Sequence, residues 1–517
     1  MSTANIPDKS LSNKRIAKNT LFLYFRMILL MVIGLYTSRK TLQLLGVDDY
    51  GIFNVVAGVV AMFSIFSSSL TSAISRYITF EIGKGRKERL SEIFATSVNV
   101  LIILAISIGL LMEIFGVWFL NNKLNIPAGR MTAANWAMHC SIVSFCIALI
   151  SIPYQACIVA HERMGIYAYM SILEAVLKLL IVFALYLSPL DRLILYSILL
   201  VVVSLLMRII YGIYSKHSFE EAVYRLYYNK PLIKEMLSFS GWTIFGTAAY
   251  QLNTQGIAIL INIFFGVAVN AARGLAITIE GVVHQFIGNF TMAMNPQIIK
   301  SYASGNIDYM HALICRSAKF SYFLMLIISL PILFETNIIL NIWLDRVPKY
   351  TLVFTRLTLI TSMLLVFVNP LVCAVQSTGK IKQYQIVVGL TSMLTFPISY
   401  FAYRLGYPPE STYYIYLVLS VFLLFIRLYI VRGLVSLSIT SFMSNVMMPC
   451  MVVSIVSLII PILIFLLMSE GFSRLLIMCV CCFAFSLVAV FLFGLNKTEK
   501  KWIINIVQSK LKRISIW

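Results

Sequence analysis

Residues 94–120 read FATSVNVLIILAISIGLLMEIFGVWFL, a run in which Glu113 is the single charged residue. A helix needs about 20 mostly apolar residues to cross the hydrocarbon core of a bilayer, so this run is long enough to span a membrane. Comparable runs recur along nearly the whole chain of 517 residues, of which 60% are hydrophobic and 12% are charged. Soluble domains carry about 25% charged residues. The sequence therefore predicts an all-α integral membrane protein and excludes a soluble fold.

Apolar windows of this kind predict about fourteen transmembrane helices along the chain. The connections between them are short, and no segment is left over for a soluble catalytic domain. The predicted spans are residues 18–42, 51–78, 94–120, 133–159, 164–188, 193–214, 241–265, 271–298, 314–341, 352–378, 383–404, 411–432, 443–468 and 473–495.

Basic residues are in large excess, with 41 Lys and Arg against 20 Asp and Glu and a formal net charge of +21. In a membrane protein this excess indicates orientation rather than nucleic-acid binding, because short cytoplasmic loops are enriched in Lys and Arg. The basic residues concentrate in alternate connections, around residues 84–89 and 216–234, and in the C-terminal tail. This distribution predicts a multi-pass membrane protein with both termini in the cytoplasm. Membrane lipids are expected partners, and no nucleic acid is.

Two polar segments mix charged and aromatic residues, as helices that lie on a membrane surface do. Residues 217–238 predict an interfacial amphipathic helix, and residues 496–517 predict a basic tail suited to an anionic leaflet. A solvated linker and tail are the alternative. The predicted organisation is an N-terminal lobe (1–214), a cytoplasmic amphipathic linker (215–240), a C-terminal lobe (241–432), two further helices (433–495) and a basic cytoplasmic tail (496–517).

An internal repeat relates the two lobes. Laying residues 46–85 over 266–305 without a gap pairs Gly46 with Gly266 and Gly85 with Gly305, each time near a connection. A second match pairs Pro153 with Pro370 and Arg163 with Lys380. Six crossings separate equivalent positions, so the two six-helix repeats have the same orientation in the membrane. Parallel repeats of this kind predict a two-lobed transporter whose site lies between the lobes, with the last two helices outside the repeat.

Several blocks of sequence resemble one family of transporters, the polysaccharide-type exporters of the MOP (multidrug/oligosaccharidyl-lipid/polysaccharide) superfamily. The blocks are LYTSRKTLQLLGVDDYGIFNVVAGVVAMFS (35–64), WFLNNKLNIPAGRMTAANW (118–136), IPYQACIVAHERMGIYAYMSILEAVLKLL (152–180), NPQIIKSYASG (295–305) and IWLDRVPKYT (342–351). The resemblance implies a flippase of the bacterial inner membrane that moves undecaprenyl-pyrophosphate-linked repeat units of O-antigen or capsule by alternating access. It also implies a lipid-linked oligosaccharide as cargo, with polysaccharide polymerase and chain-length machinery as further partners.

A pyrophosphate cargo with many sugar hydroxyls is expected to require fixed cations along its path. Ionisable residues inside spans are costly and usually face a cavity. The alternatives are that Arg39, Arg76, Arg273 and Arg356 extend to the interface from helix ends, and that Lys178 forms a salt bridge with Glu174 four residues earlier. The candidate residues for a cationic cavity are Arg26, Arg39, Arg76, Lys178, Arg273 and Arg356.

Glu280 and His284 are four residues apart and therefore share one face of the eighth predicted helix. An acid and an imidazole in this position predict a site of proton exchange for ion coupling. A structural hydrogen-bonded pair is the alternative. Glu113 and Glu335 lie near the outer ends of predicted helices 3 and 9, and both are expected at the membrane interface.

Motifs of nucleotide-dependent or metal-dependent catalysis are missing from the sequence, which contains neither a Gly-x-x-x-x-Gly-Lys-Ser/Thr loop nor HExxH. We therefore expect no enzymatic activity, no metal and no cofactor, and energy from an ion gradient, the membrane potential or downstream consumption. The competing interpretations are a multidrug or cation antiporter of the same superfamily and a membrane glycan polymerase or acyltransferase.

Overall fold

The computed structural model describes residues 9–61, 63–123, 126–225, 227, 229–344, 347–497 and 499–501, which form helices joined by short connections. This confirms the predicted all-α membrane architecture. The α-helices are α1 (Lys9–Ala61), α2 (Ser64–Lys84), α3 (Lys87–Lys123), α4 (Met131–Ala160), α5 (Met164–Leu187), α6 (Arg192–Ser218), α7 (Lys230–Phe265), α8 (Val267–Ala303), α9 (Ile307–Phe334), α10 (Thr336–Trp343), α11 (Thr351–Leu365), α12 (Val368–Thr378), α13 (Lys382–Met393), α14 (Thr395–Arg404), α15 (Ser411–Val435), α16 (Ile439–Phe442), α17 (Met448–Leu467) and α18 (Phe472–Ala489).

Eleven helical segments in the described part of the chain are long and apolar enough to cross a membrane, and they coincide with eleven of the predicted spans. The other three predicted spans fall within α1 and α2, α7, and α8. α7 and α8 are 36 and 37 residues long, well above the roughly 20 residues that a crossing needs. Compared with the eleven apolar segments, α7 and α8 carry more polar side chains, among them Arg273, Glu280 and His284 of α8.

The chain folds into two compact units. Unit 1 comprises Met1–Ala248 and Met292–Asn306, and unit 2 comprises Ala249–Thr291 and Ile307–Trp517. In unit 1, α4 is central and packs against α1, α2, α3, α5 and α6. In unit 2, α15 packs against α11 to α14, and α9 packs against α11, α12, α17 and α18. α17 and α18, which lie outside the sequence repeat, are therefore integrated into unit 2 through α9.

The glycines paired by the sequence repeat share an uncommon backbone conformation. Gly46 and Gly266 have φ angles of 79° and 84°, and Gly85 and Gly305 have φ angles of 69° and 78°. Glycine adopts positive φ readily, whereas residues with a Cβ are strained there. Gly46 breaks α1, Gly266 separates α7 from α8, and the other two follow the ends of α2 and α8. The backbone thus supports the pairing at all four positions.

The connection between α6 and α7 differs from the predicted interfacial helix over residues 217–238. Residues 219–225 are turn and irregular backbone, and α7 begins only at residue 230. Pro231 occupies the first turn of α7, where its missing N–H costs no helical hydrogen bond. The Asn229 side chain accepts a hydrogen bond from the backbone N–H of Leu232 at 3.1 Å and so caps the helix. These two residues start a new helix rather than continue an existing one.

One arginine joins three connections of unit 1. Arg130, just before α4, donates to both carboxylate oxygens of Asp49 at 2.7 and 2.5 Å and to Asp191 at 2.5 Å. Asp191 also caps α6 by accepting from the backbone N–H groups of Leu193 and Ile194, both at 3.1 Å. The hydrogen bond from Arg130 lowers the pKa of Asp191 from its usual value, against a smaller opposing effect of burial. Asp191 is therefore held as a carboxylate.

Glu335, expected at the membrane interface, lies where α9 ends and α10 begins, and its side chain is buried within the protein. It is 1% exposed and forms a two-bond ion pair with Arg474 of α18, with Nε to Oε1 at 2.8 Å and Nη2 to Oε2 at 3.0 Å. A second buried pair in the same unit joins Lys319 of α9 to Glu499 at 2.7 Å. Burial of these charges requires such partners, because an unpaired buried charge is strongly destabilising.

Candidate functional site

Arg26 lies in the membrane-spanning part of α1 and is half-buried. Its guanidinium carbon is 4.8 Å from the centre of the Tyr167 ring, within the range of a cation–π contact. The buried Nε has no hydrogen-bond partner among the residues that the structure describes. Unit 1 thus holds a half-buried cation on an aromatic wall with unused hydrogen-bonding capacity.

Arg76 is enclosed by aromatic rings. Only 6% of the residue is exposed, and its guanidinium carbon lies 4.6 Å from the ring centre of Tyr77, 4.8 Å from that of Phe80 and 5.6 Å from that of Phe239. Tyr77 in turn donates to Glu235 at 3.3 Å. Contact between Arg76 and a cargo would require these rings to move, so its predicted role in a cationic cavity stays a prediction.

The two other candidates of unit 1 differ in their surroundings. Lys178 donates to Glu174 at 2.6 Å, which is the i, i+4 pair that the sequence offered as the alternative to cavity lining. Both side chains keep substantial exposure, 47% for Lys178 and 39% for Glu174. Arg39 is exposed on α1. The geometry of unit 1 therefore favours Arg26 over Lys178 as the cation available to an anionic ligand.

In unit 2, Arg273 and Glu280 line one cavity of about 100 Å³. Arg273 is half-buried and donates through Nη2 to the backbone oxygen of Thr254 at 2.8 Å. Tyr250 and Asn253 line the same cavity, and the Oδ1 atom of Asn253 is buried without a hydrogen-bond partner in the described part of the chain. The structure thus places a cation, a carboxylate, a phenol and an open acceptor around a small polar space.

Glu280 and His284 share one face of α8, as their spacing predicts. Their side chains approach to 3.6 Å between Glu280 Oε1 and His284 Nε2. The shorter contact of Glu280 is with Ser362 of α11, whose Oγ donates to Oε1 at 2.5 Å. Both side chains are about a quarter to a third exposed, 24% for Glu280 and 32% for His284. Both side chains are therefore partly exposed, and they lie just beyond hydrogen-bonding distance of each other.

Arg356 has a local structural role. Its Nε donates to the backbone oxygen of Leu333 at 3.0 Å and approaches Thr336 Oγ1 at 3.3 Å. These atoms belong to the end of α9 and the start of α10. Arg356 thereby satisfies a carbonyl that the helix end leaves without an intrahelical partner. Its predicted contact with cargo stays untested.

Arg208 and Arg427 are intramembrane arginines that the sequence analysis did not name. Arg208 of α6 lies 3.9 Å above the ring of Tyr154, and Arg427 of α15 donates to the hydroxyl of Tyr384. The Nε of each is buried without a partner within the described ranges. Both belong to the last helix of their sequence repeat, and both lie inside a predicted span. The signal that would have found them is the cost of an intramembrane charge, which applies to them as to Arg26.

Glu162 is a further residue that the sequence analysis missed. It is 3% exposed and accepts hydrogen bonds from Gln297 and Lys300, each at 2.5 Å. Asn19 donates to its backbone oxygen at 3.0 Å. Glu162 therefore holds the end of α8 within unit 1, and it joins two of the sequence blocks that carry the family resemblance, 152–180 and 295–305.

Glu162 also has a positive φ angle of 58°, which is uncommon for a residue with a side chain. It follows Pro153 by nine positions, as Gly379 follows the paired Pro370, and Gly379 has a φ angle of 76°. The two repeats thus share this turn, with glycine in one and a strained glutamate in the other. The strain is sustained by the buried hydrogen bonds of the carboxylate.

Residues 16–302 match the protein family described as "Polysaccharide biosynthesis protein", which is more than half of the chain. The chain belongs to the polysaccharide biosynthesis protein family. No curated protein sequence matches this family member significantly.

Solved structures of MOP-type transporters share the fold of this family member. A MATE in its straight conformation superposes with a TM-score of 0.69 at 11% identity, and an outward-facing multidrug resistance MATE family transporter of the MOP superfamily with 0.70 at 11%. A MOP superfamily transporter from Pyrococcus furiosus, described as having a reversed polarity of its binding pocket, gives 0.67 at 11% identity. Each comparison covers 82% of this chain and 96% of the other. The chain is thus a multi-pass membrane protein with the fold of MOP transporters.

Proposed function

We propose that this protein is a flippase that moves undecaprenyl-pyrophosphate-linked oligosaccharide repeat units from the cytoplasmic to the periplasmic leaflet of the bacterial inner membrane. The units would serve an O-antigen, a capsule or a related polysaccharide, and the transport would proceed by alternating access. Its further partners would be the polymerase and chain-length machinery that receive the cargo. The protein would perform no covalent chemistry.

The observation that carries this proposal is the half-buried Arg26 on the face of Tyr167, in a member of a polysaccharide biosynthesis family. Guanidinium groups bind phosphate oxygens through two parallel hydrogen bonds, and aromatic rings present a flat apolar surface to sugars. Arg273 beside Tyr250 supplies the same two chemical elements in unit 2. A cargo with a pyrophosphate and a glycan uses both.

The membrane potential is one source of energy for this transport. Moving about two negative charges outward across an inside-negative membrane releases on the order of 4 to 5 kcal/mol per 100 mV. Glu280 and His284 offer a second source, proton coupling, if Glu280 gains and loses a proton in alternate conformations. The alternative is that Glu280 is a fixed counter-ion of Arg273, which lines the same cavity.

Transport by purified protein in proteoliposomes tests the proposal directly. A lipid-linked oligosaccharide is loaded in one leaflet, and its appearance in the other is followed with a membrane-impermeant glycan-binding protein. Arg26→Ala is expected to slow transport about tenfold or more, because a charge-assisted hydrogen bond is worth about 1.5–3 kcal/mol. Arg26→Lys should retain part of the rate, because it keeps the charge and loses the planar fork. Unchanged transport by Arg26→Ala would contradict the assignment.

Two further measurements separate the mechanisms. If Glu280 couples protons, wild-type transport responds to an imposed pH gradient and Glu280→Gln does not. If the membrane potential is the only source, both proteins respond to the potential alone and neither to the pH gradient. The similarity to MATE structures keeps a multidrug antiporter as the second candidate. That function predicts efflux of cationic dyes by the same proteoliposomes without movement of the glycan lipid.

A further inference from the structure

Unit 1 contains a second, larger cavity that the proposed transport function does not use. Its volume is about 860 Å³, and it lies where α2 ends, α3 begins, α4 meets α5 and residues 219–225 and 227 follow α6. Asn99 of α3 holds this last segment by donating to the backbone oxygens of Arg225 and Tyr227 at 3.2 and 3.1 Å. The cavity is formed by helix ends and the connection that follows α6, where we expect the lipid headgroups around a membrane-spanning bundle.

The wall of this cavity contains a buried acceptor without a donor. Glu81 is 4% exposed, and its Oε2 atom has no hydrogen-bond partner among the described residues. The other oxygen, Oε1, lies 3.6 Å from Arg89 Nε, which is beyond hydrogen-bonding distance. A buried carboxylate oxygen that lacks a donor is unfavourable, so the site is suited to a ligand that supplies a charged N–H group.

Cations lie at the exposed rim of the same cavity. Arg86 and Arg225 are solvent-exposed and make no side-chain ion pair with any residue that the structure describes. Two acids of the wall are paired: Glu221 with His161 at 2.5 Å, and Glu220 with Lys87 at 2.8 Å. Glu88 and Glu92 line the cavity as well. The cavity therefore offers a deep, unsatisfied carboxylate and two free guanidinium groups at the mouth.

We propose that this cavity binds the ethanolamine-phosphate headgroup of a membrane phospholipid. The primary ammonium donates to the Glu81 carboxylate once its side chain turns toward the cavity, and the phosphate accepts from Arg86 and Arg225. Phosphatidylcholine lacks N–H donors for the carboxylate, and phosphatidylglycerol lacks the cation. The position at headgroup level favours a lipid over a soluble amino-phosphate, since the acyl chains remain in the bilayer beside the helix ends.

Native mass spectrometry of the purified protein tests this proposal with three lipids of identical acyl chains. The wild type is expected to bind phosphatidylethanolamine about tenfold more tightly than phosphatidylcholine or phosphatidylglycerol, because one charge-assisted hydrogen bond accounts for such a factor. Equal binding of the three lipids would overturn the proposal. If soluble O-phosphoethanolamine binds and competes while the lipid does not, the lipid assignment is wrong.

Variants locate the binding. Glu81→Gln should abolish the preference for phosphatidylethanolamine, and Arg86→Gln with Arg225→Gln should weaken phosphatidylethanolamine and phosphatidylglycerol alike. The exposed Glu470→Gln, in unit 2, is the matched control and should bind as the wild type does. If Glu81→Gln fails to fold, the rim variants decide, because their side chains are exposed and their replacement leaves the core intact. Wild-type affinity for phosphatidylethanolamine in the rim variants, or wild-type lipid preference in a folded Glu81→Gln protein, would contradict the assignment.

Discussion

At the scale of single residues, Glu162 shows how a strained backbone is maintained by a side chain. Its φ of 58° suits glycine, yet its carboxylate binds Gln297 and Lys300 in a buried position. A left-handed conformation costs about 1–3 kcal/mol, whereas breaking a buried ion pair costs about 3–5 kcal/mol. The contacts therefore outweigh the strain.

Glu162→Gln should lower the free energy of unfolding by about 3 kcal/mol, the smaller end of that range, because the Lys300 side chain retains 21% exposure. The measurement is the midpoint of thermal unfolding in detergent at a fixed scan rate. Glu162→Gly should remove the backbone strain, but it should still be less stable than the wild type because it loses the ion pair with Lys300. Gly379→Ala, the matched control, adds strain without removing an ion pair and should lose only about 1–2 kcal/mol. A wild-type midpoint for Glu162→Gln would refute this explanation.

Asp191 predicts a dependence of stability on pH. Its pKa in the folded protein lies below the usual value of 3.8, chiefly because Arg130 donates to it. The stabilisation that ionised Asp191 gives to the folded protein is therefore complete above a pH of 3.8. It is lost as the pH falls through the lower pKa of the folded state. Asp191→Asn should be less stable than the wild type at pH 6, and the difference should narrow as the pH falls below about 4. Unfolding midpoints across this range measure it.

The partner residue gives the control for this pH effect. Arg130→Gln removes the donor that lowers the pKa of Asp191. The difference in stability between this variant and the wild type should therefore also narrow as the pH falls. The double variant should lose less than the sum of the two single losses, since the residues act as one pair. A constant difference between Asp191→Asn and the wild type at every pH would rule out this linkage.

At the scale of helices, the paired glycines mark where the chain must bend. A Cβ at Gly46 or Gly266 would meet no atom within 4 Å, so the cost of substitution is conformational and not steric. Gly46→Ala and Gly266→Ala should each destabilise the protein by about 1–2 kcal/mol. Gly34, also in α1 and equally uncrowded, lacks a positive φ. Gly34→Ala should be neutral or stabilising by up to about 1 kcal/mol, and thermal unfolding distinguishes the two outcomes.

Most helices could be predicted from the sequence because a spanning helix is a local signal. The predicted spans 133–159 and 411–432 agree with α4 and α15 to within three residues at each end. The predicted interfacial helix over residues 217–238 was wrong for the connection between α6 and α7. The composition of this segment resembles an amphipathic helix, but Pro231 and the cap at Asn229 start a separate helix. Single residues determine where α7 begins, and the overall composition of the segment does not reveal them.

The sequence identified candidate site residues by their type, but it did not identify the residues that contact them. Arg26, Arg273 and Glu280 were identified because intramembrane charges are expensive. Their neighbours come from other helices, as Ser362 does for Glu280, 82 positions away. Glu162 lies 135 and 138 positions from its two partners, so no local pattern reveals that it is buried. The fold supplies this information only when the helices are packed.

At the scale of the whole molecule, the distribution of basic residues predicts its orientation in the membrane. Single cysteines at Arg86 and Lys230, in a chain whose nine native cysteines are replaced, should react with an impermeant thiol reagent only from the cytoplasmic side. A cysteine at the exposed Asn122, at the opposite end of α3 from Arg86, should react only from outside. Labelling of position 86 or 230 from outside whole cells would reverse the orientation.

The buried ion pairs of unit 2 have a consequence for the synthesis and membrane insertion of the protein. Arg474 is made 139 residues after Glu335, and Glu499 is made 180 residues after Lys319. At about 5–20 residues per second, α9 and the start of α10 wait on the order of 10 to 40 seconds in the membrane with two unneutralised charges. The last hairpin and the residues that follow it therefore complete biogenesis. A chain that stops before them is therefore expected to leave Glu335 and Lys319 without these partners.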